Sequence, residues 1–170
     1  MSDPIIYCPK CHHQYGLLKN IGFALDALCG RDRCDGTLKA HKPVYAALFL
    51  TQESKKELLE VVLPKHPMVY GEHITMAFGR HLREKYPIGE QVEVTVSTVF
   101  EDGRGQCVAA DPGPIRELFW DQQVPHVTIS CAEGVKPFYS MDLMKDAGSV
   151  RGKVELKLKT IVDYHPRLKT

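Results

Sequence analysis

A His-x-Thr pattern occurs twice in the chain, and it joins two residue types that are suited to acid–base chemistry at a phosphate. The copies are His73 with Thr75 and His126 with Thr128. Imidazole titrates near neutral pH, so one histidine can take a proton while the other gives one. Threonine hydroxyls are short donors that can hold the non-bridging oxygens of a phosphate. Together the two pairs favour phosphoryl transfer without a catalytic metal.

Both copies lie in strand-like segments, with apolar residues between and after the polar ones. Side chains at i and i+2 share one face of a strand, so His73 and Thr75 are predicted to point away from Ile74 and Met76. Two such strands facing one another would surround a cleft with two imidazoles and two hydroxyls. The alternative is a pair of exposed-face histidines on unrelated strands, with threonine present for its β-propensity.

The remaining pattern predicts a chain of strands joined by short turns, with little helix. Apolar and polar residues alternate over 91–99 and over 153–162, and Thr51 can cap a helix over 52–62. Strands outnumber helices, which predicts an α+β domain built on antiparallel sheet. Further strands are predicted over 44–50, 73–78, 105–110 and 124–130, and a short helix over 114–120.

Four of the six cysteines form two close pairs near the start of the chain, Cys8 with Cys11 and Cys29 with Cys34. No secretion signal precedes them, so a reducing compartment and a metal site are expected rather than disulfides. Two close pairs separated by a spacer suit a tetrahedral structural zinc ion. A neighbouring histidine, His12 or His13, could replace one of the cysteines.

The chain is therefore predicted to consist of a zinc-ribbon-like segment over 1–40 and a second domain over 43–170. So short a segment cannot build an adequate core alone, which favours a metal cross-link. The ribbon either serves only as a structural clip or also contacts RNA or a protein. Cys107 and Cys131 are predicted to be buried, inert thiols, with a nucleophilic cysteine as the alternative.

Charge and hydropathy exclude several classes of protein. The 170 residues include 22 Lys and Arg against 21 Asp and Glu, a formal net charge of +1. This balance disfavours a chain-wide basic surface that would grip duplex nucleic acid. The longest apolar run, 46–50, is too short to span a bilayer, and the first residues do not resemble a secretion signal. The expected location is intracellular and cytoplasmic, with no membrane partner.

The paired motifs and their flanks resemble the two-histidine (2H) phosphoesterase superfamily. The resemblance runs from about Val44 to Val162 and includes the opening strand 44–50 and the stretch 69–79. Residues 126–130, continuing through 134–140, are similar to the cyclic phosphodiesterase domain of fungal- and plant-type tRNA ligases. The resemblance implies a bilobed fold of two antiparallel sheets, with a histidine strand from each lobe lining a central cleft.

The same resemblance implies the site residues and the reaction. His73 and His126 match the catalytic histidines, and Thr75 and Thr128 match the phosphate-binding hydroxyls. The implied reaction opens a 2′,3′-cyclic phosphate of an RNA end or nucleotide to a 2′-phosphate, with no cofactor for catalysis. The two histidines must then lie on opposite sides of the phosphorus, and the sequence does not assign base and acid.

Three further residues near the motifs are candidates for substrate contact. Tyr70 and Tyr139 could stack on a base or pack at the rim, and Lys136 could contact phosphate or be a solvated loop lysine. Two other functions stay open. One is hydrolysis of a cyclic oligonucleotide or 2′-5′ oligoadenylate signal, and the other is a non-catalytic module that binds nucleic acid or protein through the ribbon.

Overall fold

A computed structural model describes residues 4–11, 13–17 and 25–166. Its strands form two antiparallel sheets, one of three strands and one of seven, with few helices. The predicted α+β class on antiparallel sheet is therefore confirmed. Among the described residues, no helix is long and apolar enough to cross a membrane.

The small sheet is formed by the N-terminal segment and has the order β2-β1-β3. Its strands are β1 (Ile5–Tyr7), β2 (Gln14–Leu17) and β3 (Lys39–His41). It packs against the rest of the chain, because Ile5 belongs to the main hydrophobic core. The buried Gln14 side chain adds two hydrogen bonds: it donates to Tyr86 O over 3.1 Å and accepts from Tyr164 Oη over 2.7 Å.

The large sheet has the order β5-β9-β8-β7-β10-β4-β6. Its strands are β4 (Tyr45–Leu50), β5 (Met68–Val69), β6 (His73–Phe78), β7 (Gln91–Glu101), β8 (Gly105–Asp111), β9 (His126–Cys131) and β10 (Val150–His165). The helices are α1 (Gln52–Val61) and α2 (Ser140–Leu143). The predicted short helix around 114–120 forms a 3₁₀ helix over Gly113–Leu118.

The two histidine strands, β6 and β9, belong to this single sheet, where the family resemblance implies two sheets. The sheet is continuous because the long β7 and β10 pair along its middle. Their pairing is interrupted by register shifts between Val150 and Gly152 and between Lys153 and Leu156. Such irregularities increase local bend and twist. The sheet curls enough that its two edge strands are close in the chain: β5 pairs with β9 at one edge, Tyr70 N–H extends this pairing by donating to Ile129 O over 2.8 Å, and β6 begins at the other edge only three residues later.

Alternation on both histidine strands follows the predicted pattern. Ile74 and Met76 on β6 and Val127 and Ile129 on β9 have no exposed surface and lie in the main core. Helix α1 covers part of this core with Leu58 and begins at Thr51, whose hydroxyl accepts the Ser54 N–H over 3.2 Å. The buried residues therefore leave the alternate positions of β6 and β9 to face a cleft.

Candidate active site and candidate metal centre

The cleft lies between β6 and β9 and has a volume of about 350 Å³. All four residues of the two predicted pairs line it: His73, Thr75, His126 and Thr128. Each pair reaches the cleft from its own strand because i and i+2 share a face. The two imidazoles and two hydroxyls therefore surround one space, as the facing-strand prediction requires.

The imidazole of His126 is held in one tautomer by a backbone carbonyl. Its Nδ1 lies 2.7 Å from Val124 O, and a carbonyl only accepts, so Nδ1 carries the hydrogen. In the neutral ring Nε2 is then the basic nitrogen. The side chain is buried, and this burial lowers the pKa of His126, although the hydrogen bond to Val124 acts in the opposite direction.

His73 packs against two aromatic rings of β4. Its ring centroid lies 5.1 Å from that of Tyr45 and 5.6 Å from that of Phe49. Burial lowers the pKa of His73 to about 4, against the opposing effect of the Glu72 carboxylate. Both histidines are therefore neutral near pH 7 in the free protein. An anion bound between them would favour the protonated form of an imidazole that it touches.

The two threonine hydroxyls have different surroundings. Thr128 Oγ1 lies 2.9 Å from Ser140 Oγ and 3.3 Å from Pro137 O. Thr75 makes no side-chain hydrogen bond to another described residue, so its hydroxyl is available to a ligand. A hydroxyl has only one proton. Thr128 can therefore donate to a phosphate oxygen only when its hydrogen bond to Pro137 O is broken. Its own oxygen would then still accept a hydrogen bond from the Ser140 hydroxyl.

The cleft also contains residues that the sequence patterns do not predict. Phe78 and Phe138 lie on its rim with 46% and 69% of their surface exposed, and both offer ring faces for stacking. Gln123 is only 3% exposed and places a carboxamide in the lining, with its Nε2 3.9 Å from Met141 Sδ. A buried amide in a cleft is a signal for substrate recognition that only the fold reveals.

Phe78 reaches the cleft through an irregularity in the pairing of β4 with β6. Regular alternation would place Phe78 on the core side of β6 with Ile74 and Met76. The register shifts between Ala46 and Ala47, where the partner changes from Ala77 to Thr75. Such a bulge moves the following side chain to the other face. Strict period-two analysis therefore misses this residue.

The three other candidate contacts are divided between two places. Tyr70 lines the cleft. Lys136 and Tyr139 lie outside it, in an adjoining groove. The Tyr139 hydroxyl donates to Asp102 Oδ2 over 2.6 Å, so that ring is anchored at the turn between β7 and β8.

The candidate metal centre is formed by Cys8, Cys11, Cys29 and Cys34, whose Sγ atoms all lie within 4.8 Å of one another. Two of the separations are 3.6 Å, between Cys8 and Cys34, and 3.7 Å, between Cys11 and Cys29. A disulfide would need about 2.05 Å. A tetrahedral ion with metal–sulfur bonds of about 2.3 Å has sulfur–sulfur edges of about 3.8 Å. The four thiols could therefore hold a metal ion.

The loop that contains Gly36 packs closely against the cluster of four cysteines. A Cβ on Gly36 would lie 2.6 Å from Cys8 Sγ, so only glycine fits there without displacement. Gly36 O also accepts the Cys29 N–H over 2.7 Å, and Tyr15 Oη lies 3.0 Å from Cys29 Sγ. His13 packs edge-on against Tyr15 and is not part of the cluster. His12, the other histidine proposed as a ligand, lies outside the described residues.

The two remaining cysteines are buried in the large sheet. Cys107 and Cys131 have at most 1% of their surface exposed. Burial raises the pKa of Cys107 to about 12 and raises that of Cys131 as well. A thiol that stays protonated is a poor nucleophile. These cysteines therefore act as apolar packing groups.

No protein-family model matches the chain, and no match was found among curated proteins. The chemistry of the chain is therefore inferred from its geometry, which combines two imidazoles, two hydroxyls and an aromatic rim with a separate cluster of four thiols.

Proposed function

We propose that the chain is a phosphodiesterase of the 2H type that opens a 2′,3′-cyclic phosphate, at an RNA end or on a nucleotide, to leave a 2′-phosphate. One observation carries the proposal: His73, Thr75, His126 and Thr128 come from two distant strands of the sheet and line the same cleft. Two imidazoles can supply both a base and an acid, and two hydroxyls can hold the phosphate oxygens between them.

In the proposed reaction one imidazole takes a proton from water, and the water oxygen forms a bond to phosphorus. The bond from phosphorus to the 3′ oxygen breaks, and the other imidazole gives that oxygen its proton. The 2′ oxygen keeps the phosphate. Attack in line with the departing oxygen needs the two imidazoles on opposite sides of the phosphorus. Their origin on β6 and β9, at opposite halves of the curled sheet, supports this arrangement.

Binding of substrate would also supply the protonation state that the reaction needs. In the free protein burial lowers the pKa of both histidines, so both are neutral near pH 7. The reaction needs one neutral and one protonated ring. The negative charge of a bound phosphodiester raises the pKa of an imidazole in contact with it. Capture of one proton with the substrate would then set up the acid–base pair.

The aromatic rim supports a nucleotide substrate. Phe78 and Phe138 are exposed at the cleft, and Tyr45 and Tyr70 line it. Ring faces of this kind stack on nucleobases with little dependence on base identity. The cleft therefore combines a polar centre for one phosphate with apolar walls for a base or ribose.

The cysteine cluster is proposed to hold zinc in a structural role. Four thiolates in a tetrahedral arrangement are the donor set of structural zinc sites, and the metal supplies a cross-link that stabilises the fold. Cys8 directly follows the end of β1 and Cys34 lies in the loop that leads to β3, so the cross-link would join these two parts of the small sheet. None of the four cysteines lines the cleft.

The function is tested by assaying purified protein with 2′,3′-cyclic nucleotides and with oligoribonucleotides that end in a 2′,3′-cyclic phosphate. We expect hydrolysis that persists in EDTA while circular dichroism shows the protein still folded. The product should be a 2′-phosphate, as identified by phosphorus NMR. Cyclic dinucleotides and 2′-5′ oligoadenylate are included in the same screen.

Histidine variants distinguish the proposed pair from other histidines. Because general acid–base catalysis contributes about 10²–10⁴-fold, His73→Ala and His126→Ala should each lower kcat by about that factor. His66→Ala is the matched control, since His66 does not line the cleft. Full activity in both cleft variants, or RNA binding without turnover of any substrate in the screen, would overturn the proposal.

A further inference from the structure

A second groove adjoins the cleft on the far side of Phe138. It has a volume of about 400 Å³ and is lined by residues of the turn between β7 and β8 and of the segment that follows β9. Phe138 lines both spaces, so its exposed ring forms the wall between them. The charged lining residues of the groove are two cations, Arg104 and Lys136, and one acid, Asp142.

Arg104 is positioned by its neighbours. Its guanidinium carbon lies 4.4 Å from the centroid of the Tyr139 ring, a cation–π contact. Tyr139 is anchored to Asp102, whose other carboxylate oxygen accepts the backbone N–H groups of Arg104 over 2.7 Å and Gly105 over 2.9 Å. The tight turn therefore holds both the cation and the ring beneath it.

The carboxylates near the groove already have partners. Asp102 accepts three hydrogen bonds, and Asp142 pairs with Lys145 over 3.3 Å. Neither Arg104 nor Lys136 forms an ion pair with any carboxylate in the described part of the chain. Asp102 attracts Arg104 electrostatically, but no carboxylate oxygen of the described residues occupies the Arg104 guanidinium or the Lys136 ammonium, so both cations can donate hydrogen bonds to an anion.

We propose that this groove binds the phosphate on the 5′ side of the terminal nucleotide, so that the preferred substrate is an oligoribonucleotide ending in a cyclic phosphate. The proposal rests on the proposed phosphodiesterase function. A cyclic mononucleotide has one phosphate, which the cleft would hold, whereas a chain presents a second phosphate beside the first nucleotide. Phe138, 69% exposed between the two spaces, offers a ring face to the base that lies between them.

The kinetic test compares a 2′,3′-cyclic mononucleotide with a trinucleotide that ends in the same group. A hydrogen bond to a charged group contributes about 1.5–3 kcal/mol, so we expect the trinucleotide to have a kcat/KM at least about tenfold higher. Arg104→Gln and Lys136→Gln should each reduce this preference through KM and leave kcat/KM for the mononucleotide unchanged. Lys159→Gln removes the same charge from an exposed position outside the groove and should change neither substrate.

A binding test does not depend on turnover. Labelled single-stranded RNA is titrated with His126→Ala protein, with and without Arg104→Gln, over a series of salt concentrations. Loss of one phosphate contact should make the slope of log K against log salt shallower by about 0.7. Lys136→Gln provides a second variant that does not disturb the β7–β8 turn, and thermal unfolding shows whether each variant is folded.

The outcomes separate the two proposals. If the protein cleaves mononucleotide and trinucleotide equally well and the salt slope does not respond to either variant, the groove proposal is overturned and the function stands. If no substrate is cleaved but the salt slope responds to both variants, the groove binds RNA phosphate and the proposed function fails.

Discussion

Replacement of Gly36 by alanine tests the candidate metal centre directly. The added Cβ would lie 2.6 Å from Cys8 Sγ and 2.9 Å from the Cβ of Lys10. Non-bonded heavy atoms of this kind rest about 3.5–4.0 Å apart, so Cys8 Sγ or the loop that carries residue 36 must move by about 1 Å. Either movement displaces a thiol from the cluster.

The size of the effect follows from the geometry of zinc. Zinc–sulfur bonds are about 2.3 Å long, and an intact site keeps such distances within about 0.2 Å. A displacement of about 1 Å is several times that tolerance. Changes in the groups that orient metal ligands cost about 10–100-fold in affinity, and we expect the upper end of this range because a ligand itself moves. A loss of about 100-fold corresponds to about 2.8 kcal/mol.

Gly30→Ala is the matched control. Gly30 directly follows Cys29, but a Cβ there would meet no atom within 4 Å. Both variants reduce the conformational freedom of the unfolded chain in the same way, so that effect cancels in the comparison. Zinc affinity is measured by competition with a chromophoric chelator, and thermal unfolding is followed with and without zinc. Equal zinc affinity in the two variants would refute the arrangement of the four thiols described above.

Three further predictions concern the cleft. First, burial lowers the pKa of both His73 and His126 in the free protein, so kcat/KM for a cyclic nucleotide should be highest below pH 6.5 and fall about tenfold per pH unit above it. The maximum of kcat should lie at higher pH, because kcat reports the substrate complex, in which the bound phosphate raises the pKa of an imidazole. A kcat/KM that stays constant from pH 6 to 8 would contradict this prediction. Second, His73 has a pKa near 6.5 in the unfolded chain and about 4 in the folded protein, so the free energy of unfolding should fall as the pH decreases from 6.5 to 4. His73→Asn should make this fall smaller by up to about 3 kcal/mol, as measured by urea titration at several pH values. The same dependence on pH in the variant and the wild type would contradict this prediction. Third, Ser140→Ala should lower kcat/KM about tenfold, because it removes the hydroxyl that can donate a hydrogen bond to Thr128 Oγ1. The same substitution should have no further effect in a Thr128→Val variant, whereas additive losses in the double variant would show that Ser140 acts elsewhere.

The sequence predicts those features of the fold that depend only on residues a few positions apart in the chain. Alternation on β6 and β9 predicted which side chains enter the core, because a strand repeats every two residues whatever its partners are. The helix start at Thr51 was predictable for a similar reason, since the capping hydrogen bond reaches only to Ser54. The four motif residues also line one cleft, as expected for two such strands that face one another.

Other features depended on long-range pairing and were not predictable. Phe78 was missed because a bulge in β6 changes the face to which it points, and bulges arise from the pairing of two strands. Gln123 was missed because its burial in the cleft depends on chain segments that are remote in sequence. Lys136 and Tyr139 follow the second motif closely, but the 3₁₀ helix Pro137–Tyr139 turns Phe138 between the cleft and the groove and leaves both neighbours outside the cleft.

The residues able to do chemistry are recognisable in the sequence alone: two His-x-Thr pairs on alternating strands and two close pairs of cysteines. Which of their atoms meet depends on the folded chain. Thiols of different cysteine pairs are brought together, Cys8 to 3.6 Å from Cys34 and Cys11 to 3.7 Å from Cys29, and the two motifs face each other although four strands separate them in the sheet. The physical reason is that spacing along the chain controls side-chain direction over a few residues, whereas the curl and register of a sheet arise from contacts between segments that are far apart in sequence.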